Sequence, residues 1–478
     1  MIKSPPGKTT YSEPGFIHSL TTLVLIIGVI SVGLWFHTSL HSLLLICILI
    51  ASVSVGFLGY KFGAIRQAMN SGIKGALPAI YIFILIGVLI AAFIESGTLA
   101  TLIYYGIEFV DPVWFLPAGL VLCSFMSIAT GTSWGTVGTI GIVLMGIGTA
   151  MNIPAPVIAG MVISGACFGD KMSPMSDTTN LSAMSYKTDL YRHIQSMLYT
   201  TGPSYLIAFI VFSVIGMEYA DSALPVKQLN ELQSAISEYF DVSVLTLLPI
   251  IVMLGLSIAR VSAEPAMMSA AIIAVLLAVS VQGQDFSVVL NSLYSGGTVK
   301  TGLDSLDTIF GRGGITSMLW TLSLSILALA LGGILESGKL LRVLITAMLI
   351  KVKRAAGLVA TTILSCVVGN MVMGEAYMSI ILGGQLFGDA YDEKGVKRRV
   401  MSRSLEEGAT LTTALIPWTT GGAFFASTLG VAVLDYAPWA LLNWINPLLS
   451  IVFAYLGIAL FRRPGVSLTE NVTNFSRS

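Results

Sequence analysis

The stretch ISGACFGDKMSPMSDTTNLSA, residues 163–183, decides how this chain folds, because it places charges and a proline directly after a long apolar run. Asp170, Lys171 and Asp177 fall within eight residues of one another and follow the apolar residues 154–168. A charged side chain at the centre of a bilayer costs at least about 2.5 kcal/mol, so such a residue faces a cavity or a partner and serves a function. Pro174 lacks a backbone N–H and interrupts a helix at this point. The stretch therefore predicts a broken, charged helix inside a membrane.

The composition assigns the whole chain to a membrane. Of its 478 residues, 55% are hydrophobic and only 10% are charged, whereas soluble domains carry about 25% charged residues. The formal net charge is zero, so no nucleic-acid partner is expected. The four cysteines form no CxxC pair and the four histidines no HExxH motif, which argues against a disulfide framework or a zinc site. The sequence predicts an all-α polytopic membrane protein.

Apolar runs of about 20 residues are long enough to cross the hydrocarbon core of a bilayer. Such runs predict spans at 18–36, 42–60, 76–96, 154–185, 196–217, 243–260, 265–282, 314–337, 404–431 and 438–461, and the fourth and ninth of these are broken. Residues 112–150 and 355–388 are apolar but are interrupted by the polar runs TGTSWG and GNMVMG. Each predicts a re-entrant hairpin of two half-length helices, because non-helical backbone at membrane depth must line protein or water.

Basic residues orient the spans, since loops rich in lysine and arginine remain in the cytoplasm. Three such residues mark one cytoplasmic loop: Lys61, Arg66 and Lys74. The acidic linker 218–242 is predicted to be external, and both tails, 1–17 and 462–478, to be cytoplasmic. Basic residues flank the second hairpin but not the first, so the two hairpins are expected to enter from opposite sides.

The two halves of the chain, 18–217 and 243–461, match in sequence. The tripeptide ESG at 95–97 recurs at 336–338, and hairpin and broken helix recur in the same order. Five crossings plus one hairpin make an odd number, so the second copy is expected to be inverted. The predicted fold is an inverted repeat of two five-helix halves, each with a re-entrant hairpin and a broken helix. This arrangement indicates a secondary transporter with a site at the bilayer midplane.

The polar groups of the broken helices and hairpin tips are predicted to meet at that site. The match between the halves equates Gly131 with Gly369 at the tips and Asp170 with Glu407, next to Glu406, in the broken helices. Carboxylate and hydroxyl oxygens suit a hard cation. The predicted ion- and proton-binding residues are Asp170, Asp177, Ser173, Thr178, Thr132, Ser133, Glu407, Thr410, Glu375 and Asn370. Na+ is predicted at Asp170, Ser173, Asp177 and Thr132.

Protons suit the same carboxylates as sodium. A carboxylate can hold either a proton or a sodium ion but not both favourably, and this competition is an exchange mechanism in itself. Asp170 is the first candidate for this role and Asp177 the second, because Lys171 could neutralise only one of them. Lys171 could equally form a structural ion pair with Asp177 or Glu407. Lys171 and Thr419 are also the candidates to anchor the carboxylate of an organic substrate.

Other classes of membrane protein fit the sequence less well. The residues before Asp170 do not form the GxGD motif of an intramembrane aspartyl protease, and Val162 breaks the GxSG motif of a rhomboid-type serine site. Without HExxH, a zinc membrane protease is excluded. A channel remains possible, but it explains the paired carboxylates less well. No catalytic residue and no cofactor is predicted.

Two runs carry a family resemblance: FGDKMSPMSDTTNLSA at 168–183 and RSLEEGATLTTALIPWTTGGA at 403–423. They resemble the NhaC family of bacterial sodium/proton antiporters, which includes sodium-lactate/malate-proton exchangers and belongs to the broader ion transporter superfamily. The resemblance covers nearly the whole chain and is strongest at Gly169–Asn180 and Leu415–Trp418. It implies a scaffold domain that dimerises, a moving transport domain and elevator-like alternating access.

The second half departs from the pattern of that family. LEEGAT at 405–410 stands where relatives have Leu-Glu-Asp-Ser-Gly-Thr, and PWTTGG at 417–422 stands where they have Pro-Trp-Asn-Thr-Cys-Gly. The tip sequence GEAY at 374–377 stands for Gly-Asp-Gln-Tyr. Whether the protein also carries an organic substrate is therefore expected to depend on the residues near Glu375 and Glu407.

The function expected from the sequence is that of a homodimeric sodium/proton antiporter in the inner membrane of a bacterium. The alternative is a Na+- or H+-coupled exchanger of a small organic acid, such as lactate or malate, or of an amino acid. The expected partners are therefore Na+, H+, the lipid bilayer and a second copy of the chain.

Overall fold

The computed structural model describes residues 11–74, 77–109, 111–184, 188–219, 226–259, 261–297, 299–303, 306–307 and 310–461. Every regular element in these ranges is a helix. Seven of the helices are long and apolar enough to cross a membrane, or up to nine spans if each of two bent helix pairs is counted as one. The prediction of an all-α polytopic membrane protein is therefore confirmed.

We number the helices of the described residues in chain order. The first ten are α1 (Phe16–Trp35), α2 (Leu40–Phe57), α3 (Phe62–Lys74), α4 (Leu77–Glu95), α5 (Thr98–Phe109), α6 (Pro112–Thr130), α7 (Ser133–Ala150), α8 (Ala155–Met172), α9 (Asp177–Met184) and α10 (Leu190–Glu218). The others are α11 (Val226–Tyr239), α12 (Leu248–Ile258), α13 (Ala263–Ser280), α14 (Phe286–Ser295), α15 (Gly314–Ser337), α16 (Leu340–Ile350), α17 (Ala355–Met373), α18 (Ala376–Glu393), α19 (Arg398–Thr413), α20 (Thr420–Leu429), α21 (Val433–Tyr436) and α22 (Leu441–Tyr455).

Both predicted hairpins consist of two helices that meet at a glycine and pack against each other. Gly131 lies between α6 and α7, and Gly374 lies between α17 and α18. Both glycines have φ of +71°, a left-handed conformation that costs an L-residue about 1–2 kcal/mol. Glycine therefore ends the first helix of each hairpin and turns the chain into the second.

Both predicted breaks are also present, and each contains a proline. Pro174 lies between α8 and α9, and Pro417 lies between α19 and α20. Because proline has no N–H to donate, the helix cannot continue through it. We refer to α6–α9 as the first unit and to α17–α20 as the second unit.

The two units follow one register, since their corresponding helices begin 243 residues apart (355 minus 112, 376 minus 133, 398 minus 155 and 420 minus 177). This register equates Gly131 with Gly374 and Asp170 with Thr413. The sequence match had equated them with Gly369 and Glu407 instead. Short sequence matches between glycine-rich apolar helices do not determine how the two units align. The first residues of four successive helices do, because all four give the same offset. The inversion of the second half and the domain limits 18–217 and 243–461 stay predictions.

The two halves do not form separate hydrophobic cores. One buried cluster joins α4–α8 to residues of the second half, among them Phe310 and Phe424. The other joins residues of α1–α3, among them Leu44 and Ile65, to residues of α15–α19. The N-terminal helices pack against α15 and α16 of the second half, so the fold interleaves the two halves.

Six helices were missed by the sequence analysis because each is shorter than a membrane span: α3, α5, α11, α14, α16 and α21. The segment that was predicted as a cytoplasmic loop is helix α3, which packs against α15. The predicted linker 218–242 contains α11 and also residues 220–225, which lie outside the described residues, as do both chain ends, 1–10 and 462–478.

Candidate functional site

Asp170 joins the first broken helix to the first hairpin tip. It lies near the C-terminal end of α8, is 7% exposed, and accepts a hydrogen bond of 2.7 Å from the Ser133 hydroxyl. The backbone N–H of Ser133 and the hydroxyl of Ser176 interact with the same carboxylate. The structure therefore brings Asp170 and Ser133 together, as the sequence analysis predicted.

The other residues predicted to bind Na+ with Asp170 are engaged elsewhere. The Ser173 hydroxyl donates to the Ile128 carbonyl oxygen (2.8 Å) and accepts from the Met175 N–H (3.2 Å). The Thr132 hydroxyl accepts from the Gly135 N–H (3.3 Å) and caps α7.

Asp177 lies outside the buried cluster. It is the first residue of α9, where the helix dipole favours a carboxylate, and its side chain is exposed. The two aspartates that were predicted to share one site thus differ in burial, since Asp170 is buried and Asp177 is exposed.

Glu406 is surrounded by three hydroxyl groups. Its Oε1 atom accepts from Thr178 (3.0 Å) and Thr410 (2.9 Å), and its Oε2 atom accepts from Ser182. We call these four residues the Glu406 cage. Thr178 and Ser182 belong to α9 and the other two to α19, so the cage connects the two broken helices. Ser182 was missed by the sequence analysis, because serines are common in apolar helices and one hydroxyl carries little signal.

Glu407, the next residue, is bound to cations instead. Its Oε1 atom lies 3.8 Å from Lys171 Nζ and 3.9 Å from Arg403 Nε, and it accepts a hydrogen bond from the Thr200 hydroxyl. Lys171 also donates to Asn446 Oδ1 at 3.1 Å. Of the two partners left open for Lys171, the structure therefore selects Glu407. Arg403 was missed, although its position four residues before Glu407 on one helix is a recognisable signal.

Glu375 occupies the tip of the second hairpin. It is the N-cap of α18, where its carboxylate accepts from the Ala376 N–H (2.9 Å), and it also accepts from the hydroxyl of Thr420, the first residue of α20. In the register of 243 residues, Thr132 corresponds to Glu375 and Asp177 corresponds to Thr420. In the second unit the acid is on the hairpin tip and the threonine is on the broken helix. In the first unit the threonine is on the tip and the acid is on the broken helix.

Asn370 and Thr419 are bound within the second unit. The Asn370 amide donates to the Ala409 carbonyl oxygen (2.6 Å) and to Thr412 (3.0 Å). The Thr419 hydroxyl donates to carbonyl oxygens of the break and caps α20 by accepting from Gly422 N–H (3.1 Å). Neither side chain contacts a carboxylate through these bonds, so their predicted roles toward an ion or an organic substrate stay predictions.

The cluster carries more negative than positive charge. Four buried carboxylates, Asp170, Glu375, Glu406 and Glu407, face only two buried cations, Lys171 and Arg403, an excess of two negative charges when all are ionised. Within the described residues, no group of three or more His, Cys, Asp and Glu could hold a metal ion. A cation in this cluster would therefore bind to fewer than three of these carboxylates, with hydroxyl oxygens among its other ligands, a donor set that suits a hard ion.

Tyr377, on the second hairpin, was not singled out by the sequence analysis. Four carboxylates interact electrostatically with it: Glu375, Asp177, Asp170 and Glu406. Its side chain is 39% exposed. Tyr377 therefore lies near both the buried carboxylates and the exposed Asp177.

A multi-pass helical scaffold that buries excess carboxylate between two broken helices defines the chain as a secondary transporter of ions. The chain belongs to the Na+/H+ antiporter family, whose family model matches residues 15–167 and 165–458. The resemblance to NhaC proteins is thereby confirmed, and the chain is a secondary antiporter rather than an enzyme.

Relatives with different named substrates share most of the chain. It is 39% identical to the Na+/H+ antiporter NhaC of Alkalihalophilus pseudofirmus, over 88% of this chain and 91% of that protein. It is 37% identical to the malate-2H+/Na+-lactate antiporter of Bacillus subtilis, over 84% and 86% of the two chains. It is 33% identical to the arginine/ornithine antiporter ArcD of Halobacterium salinarum, over 85% and 84%.

Proposed function

We propose that this protein exchanges Na+ for H+ across the bacterial inner membrane, and that both ions compete for Asp170 near the bilayer midplane. One observation carries the proposal. Asp170 is buried in a broken helix, is bound by Ser133 of a hairpin tip, and has no Lys, Arg or His nitrogen of the described residues within 4.0 Å. A buried carboxylate without a cationic partner is stable only when it binds a proton or a cation.

The surroundings of Asp170 give each ion a binding mode. When Asp170 is protonated, its O–H can donate to a neighbouring hydroxyl such as Ser176. When it is ionised, Na+ can bind to the carboxylate and to the oxygen atoms of Ser133 and Ser176, and Thr132 lies next to Ser133 at the tip. Asp177, at the exposed start of α9, would attract the ion before it enters.

Alternating access would expose this site to each side of the membrane in turn. We propose that the first and second units move as one transport domain relative to a dimeric scaffold, with both termini in the cytoplasm. The Glu406 cage supports joint movement, because it binds α9 of the first unit to α19 of the second.

Exchange of an organic acid or an amino acid is the second candidate. Arg403 is fully buried, and its Nη2 atom has no hydrogen-bond partner among the described residues, so the guanidinium could bind a carboxylate beside Lys171. The named substrates of the Bacillus subtilis and Halobacterium salinarum relatives belong to these chemical classes.

Proteoliposomes loaded with a pH-sensitive dye test the first proposal. Asp170→Asn should reduce Na+-driven proton flux to background, because the amide can neither release a proton nor pair with Na+ by charge. Asp177→Asn, an exposed and unbonded position, should retain most of the flux and raise the Na+ concentration needed for half-maximal rate. Flux that persists in the Asp170→Asn, Asp177→Asn double variant would refute the proposal.

Thermal unfolding of the purified protein separates the two candidates. Na+ alone should stabilise an Na+/H+ antiporter, whereas lactate, malate, arginine or ornithine should have no effect with or without Na+. Stabilisation by one of these solutes, and its loss in Arg403→Lys, would favour the organic exchanger.

A further inference from the structure

We propose that the Glu406 cage is a second binding site for Na+, separate from the site at Asp170. The proposal rests on the proposed function only for its choice of Na+ as the ligand. Thr178, Thr410 and Glu406 were predicted to belong to the site around the aspartates, and Ser182 was not predicted.

The geometry supplies a ligand set for a small hard cation. Two carboxylate oxygens and three hydroxyl oxygens converge, and both carboxylate oxygens of Glu406 are in use. Glu406 and Ser182 are completely buried, and Thr178 and Thr410 are each 8% exposed. A hydroxyl hydrogen rotates freely about its C–O bond, so each hydroxyl that now donates to Glu406 can turn a lone pair toward a cation instead. Sites of this type, built from oxygen atoms only, favour hard cations.

The charges around the cage also favour a bound cation. No Lys, Arg or His nitrogen of the described residues lies within 4.0 Å of Glu406, whereas Glu407 has two such neighbours. Lys171 acts on Glu406 only over a longer distance, because its short contacts are to Glu407 and Asn446. The adjacent glutamates therefore differ in kind, since Glu407 is paired within the protein and Glu406 lacks a cationic partner.

The cage and the Asp170 site use different side chains. Asp170 is bound by Ser133 of the first hairpin, while the cage takes its hydroxyls from α9 and α19 and none from a hairpin. The two carboxylates are near enough to interact electrostatically, so a cation at one reduces the repulsion felt by the other. A Na+ in the cage would in addition bind the two broken helices to each other, which the Asp170 site does not do.

Direct binding of ²²Na+ to the full-length protein in nanodiscs tests the proposal by the number of sites. At alkaline pH, wild-type protein should bind two Na+ per chain, Asp170→Asn one, Glu406→Gln one, and the double variant none. Size-exclusion profiles and thermal unfolding establish that each variant is folded. Loss of all Na+ binding in Asp170→Asn, or an unchanged number of sites and affinity in Glu406→Gln, would overturn it.

Two threonines of α19 form a matched pair of controls. Thr410 and Thr413 are each 8% exposed, but the Thr410 hydroxyl binds Glu406 whereas the Thr413 hydroxyl has no hydrogen-bond partner among the described residues. In the Asp170→Asn background, Thr410→Val should weaken Na+ binding at least roughly tenfold and Thr410→Ser should restore it, because the lost ligand is bound to a charge. Thr413→Val should leave the affinity unchanged. Equal effects of the two valine substitutions would contradict the assignment.

The same measurement distinguishes this inference from the proposed function. A wild-type protein that binds no Na+ would overturn both. A single bound Na+ that is lost in Asp170→Asn and kept in Glu406→Gln would leave the proposed function standing and remove the second site.

Discussion

The two units share one backbone plan but distribute their charges differently. Helix starts, the left-handed tip glycines and the prolines of the breaks recur 243 residues apart. In the first unit the acidic residues lie on either side of the break, Asp170 near the end of α8 and Asp177 at the start of α9. In the second unit the buried acidic residues lie at the tip, at Glu375, and within α19, at Glu406 and Glu407.

The two units also differ in the residue pair at which the hairpin tip meets the second segment of the broken helix. In the second unit the acid is on the tip and the hydroxyl on the helix, and Thr420 is bonded to Glu375. In the first unit the equivalent pair is Thr132 and Asp177, no hydrogen bond joins them, and Asp177 is exposed. At this pair of positions the second tip is bonded to its broken helix, whereas the first tip is bonded to its broken helix elsewhere, through Ser133 and Asp170. The backbone repeat therefore preserves the positions at which hairpin tips and broken helices approach each other. The individual side chains decide which of these positions carry charge.

The largest effect is expected at Glu407, whose counterpart in the first unit is Ser164. Glu407→Ala leaves Lys171 and Arg403 buried without their shared partner, and this should lower the free energy of unfolding by about 3–5 kcal/mol. Ser164→Ala, which loses one long hydrogen bond from the Leu442 N–H, should cost less than about 1 kcal/mol. Denaturant titration in mixed micelles measures both. Similar losses would show that Glu407 is not the centre of an ion-pair network.

A smaller effect is expected from the contact at the tips. Thr420→Val removes a hydroxyl bonded to the buried Glu375 and should cost about 1.5–3 kcal/mol, the range for a hydrogen bond to a charged group. The equivalent change in the first unit, Asp177→Asn, alters an exposed side chain and should stay within about 0.5 kcal/mol. Unfolding titrations of both variants check the contrast, and a Thr420→Ser variant should recover most of the loss.

Substitution of either tip glycine by alanine should destabilise the protein, and the size of the loss should depend on the atoms that neighbour each glycine. Gly131→Ala and Gly374→Ala each force alanine into a left-handed conformation at about 1–2 kcal/mol. A Cβ at Gly131 would in addition lie 2.8 Å from the Met175 Cβ, against 3.0 Å from the Ala328 Cβ for one at Gly374. Gly131→Ala should therefore be the less stable variant by thermal unfolding, and the reverse order would argue against a close approach of tip and break in the first unit.

The smallest loss of stability is expected from breaking an ion pair that the second unit has and the first unit lacks. Arg398 Nη2 lies 2.6 Å from Asp392 Oδ2 at the connection between α18 and α19, where the first unit has Thr149 and Ala155. Both side chains are partly exposed, so Asp392→Asn should cost no more than about 1 kcal/mol. High salt should reduce the stability of the wild type toward that of the variant, and a salt-independent difference would show that the pair is not electrostatic in origin.

Much of the helical plan could be predicted because it depends on local patterns. Runs of apolar residues identified the spans, the interruptions near Gly131 and Gly374 identified the hairpins, and Pro174 identified a break. The short helices α3, α5, α11, α14 and α16 could not be predicted in this way, because a helix of 10–14 residues has no span-length signal and depends on its neighbours for stability. The register between the units was also beyond short sequence matches.

The sequence by itself determined the class of protein and the positions of hairpins and breaks, and it predicted a role for Asp170, since each follows from the cost of placing polar groups in hydrocarbon. Only the tertiary structure decided which carboxylate has which partner. It paired Glu407 with Lys171 and Arg403, surrounded Glu406 with hydroxyls from its own helix and from α9, and left Asp177 exposed. The physical reason is that electrostatic interactions and hydrogen bonds act between side chains far apart in the chain, at distances that only the packing of helices sets.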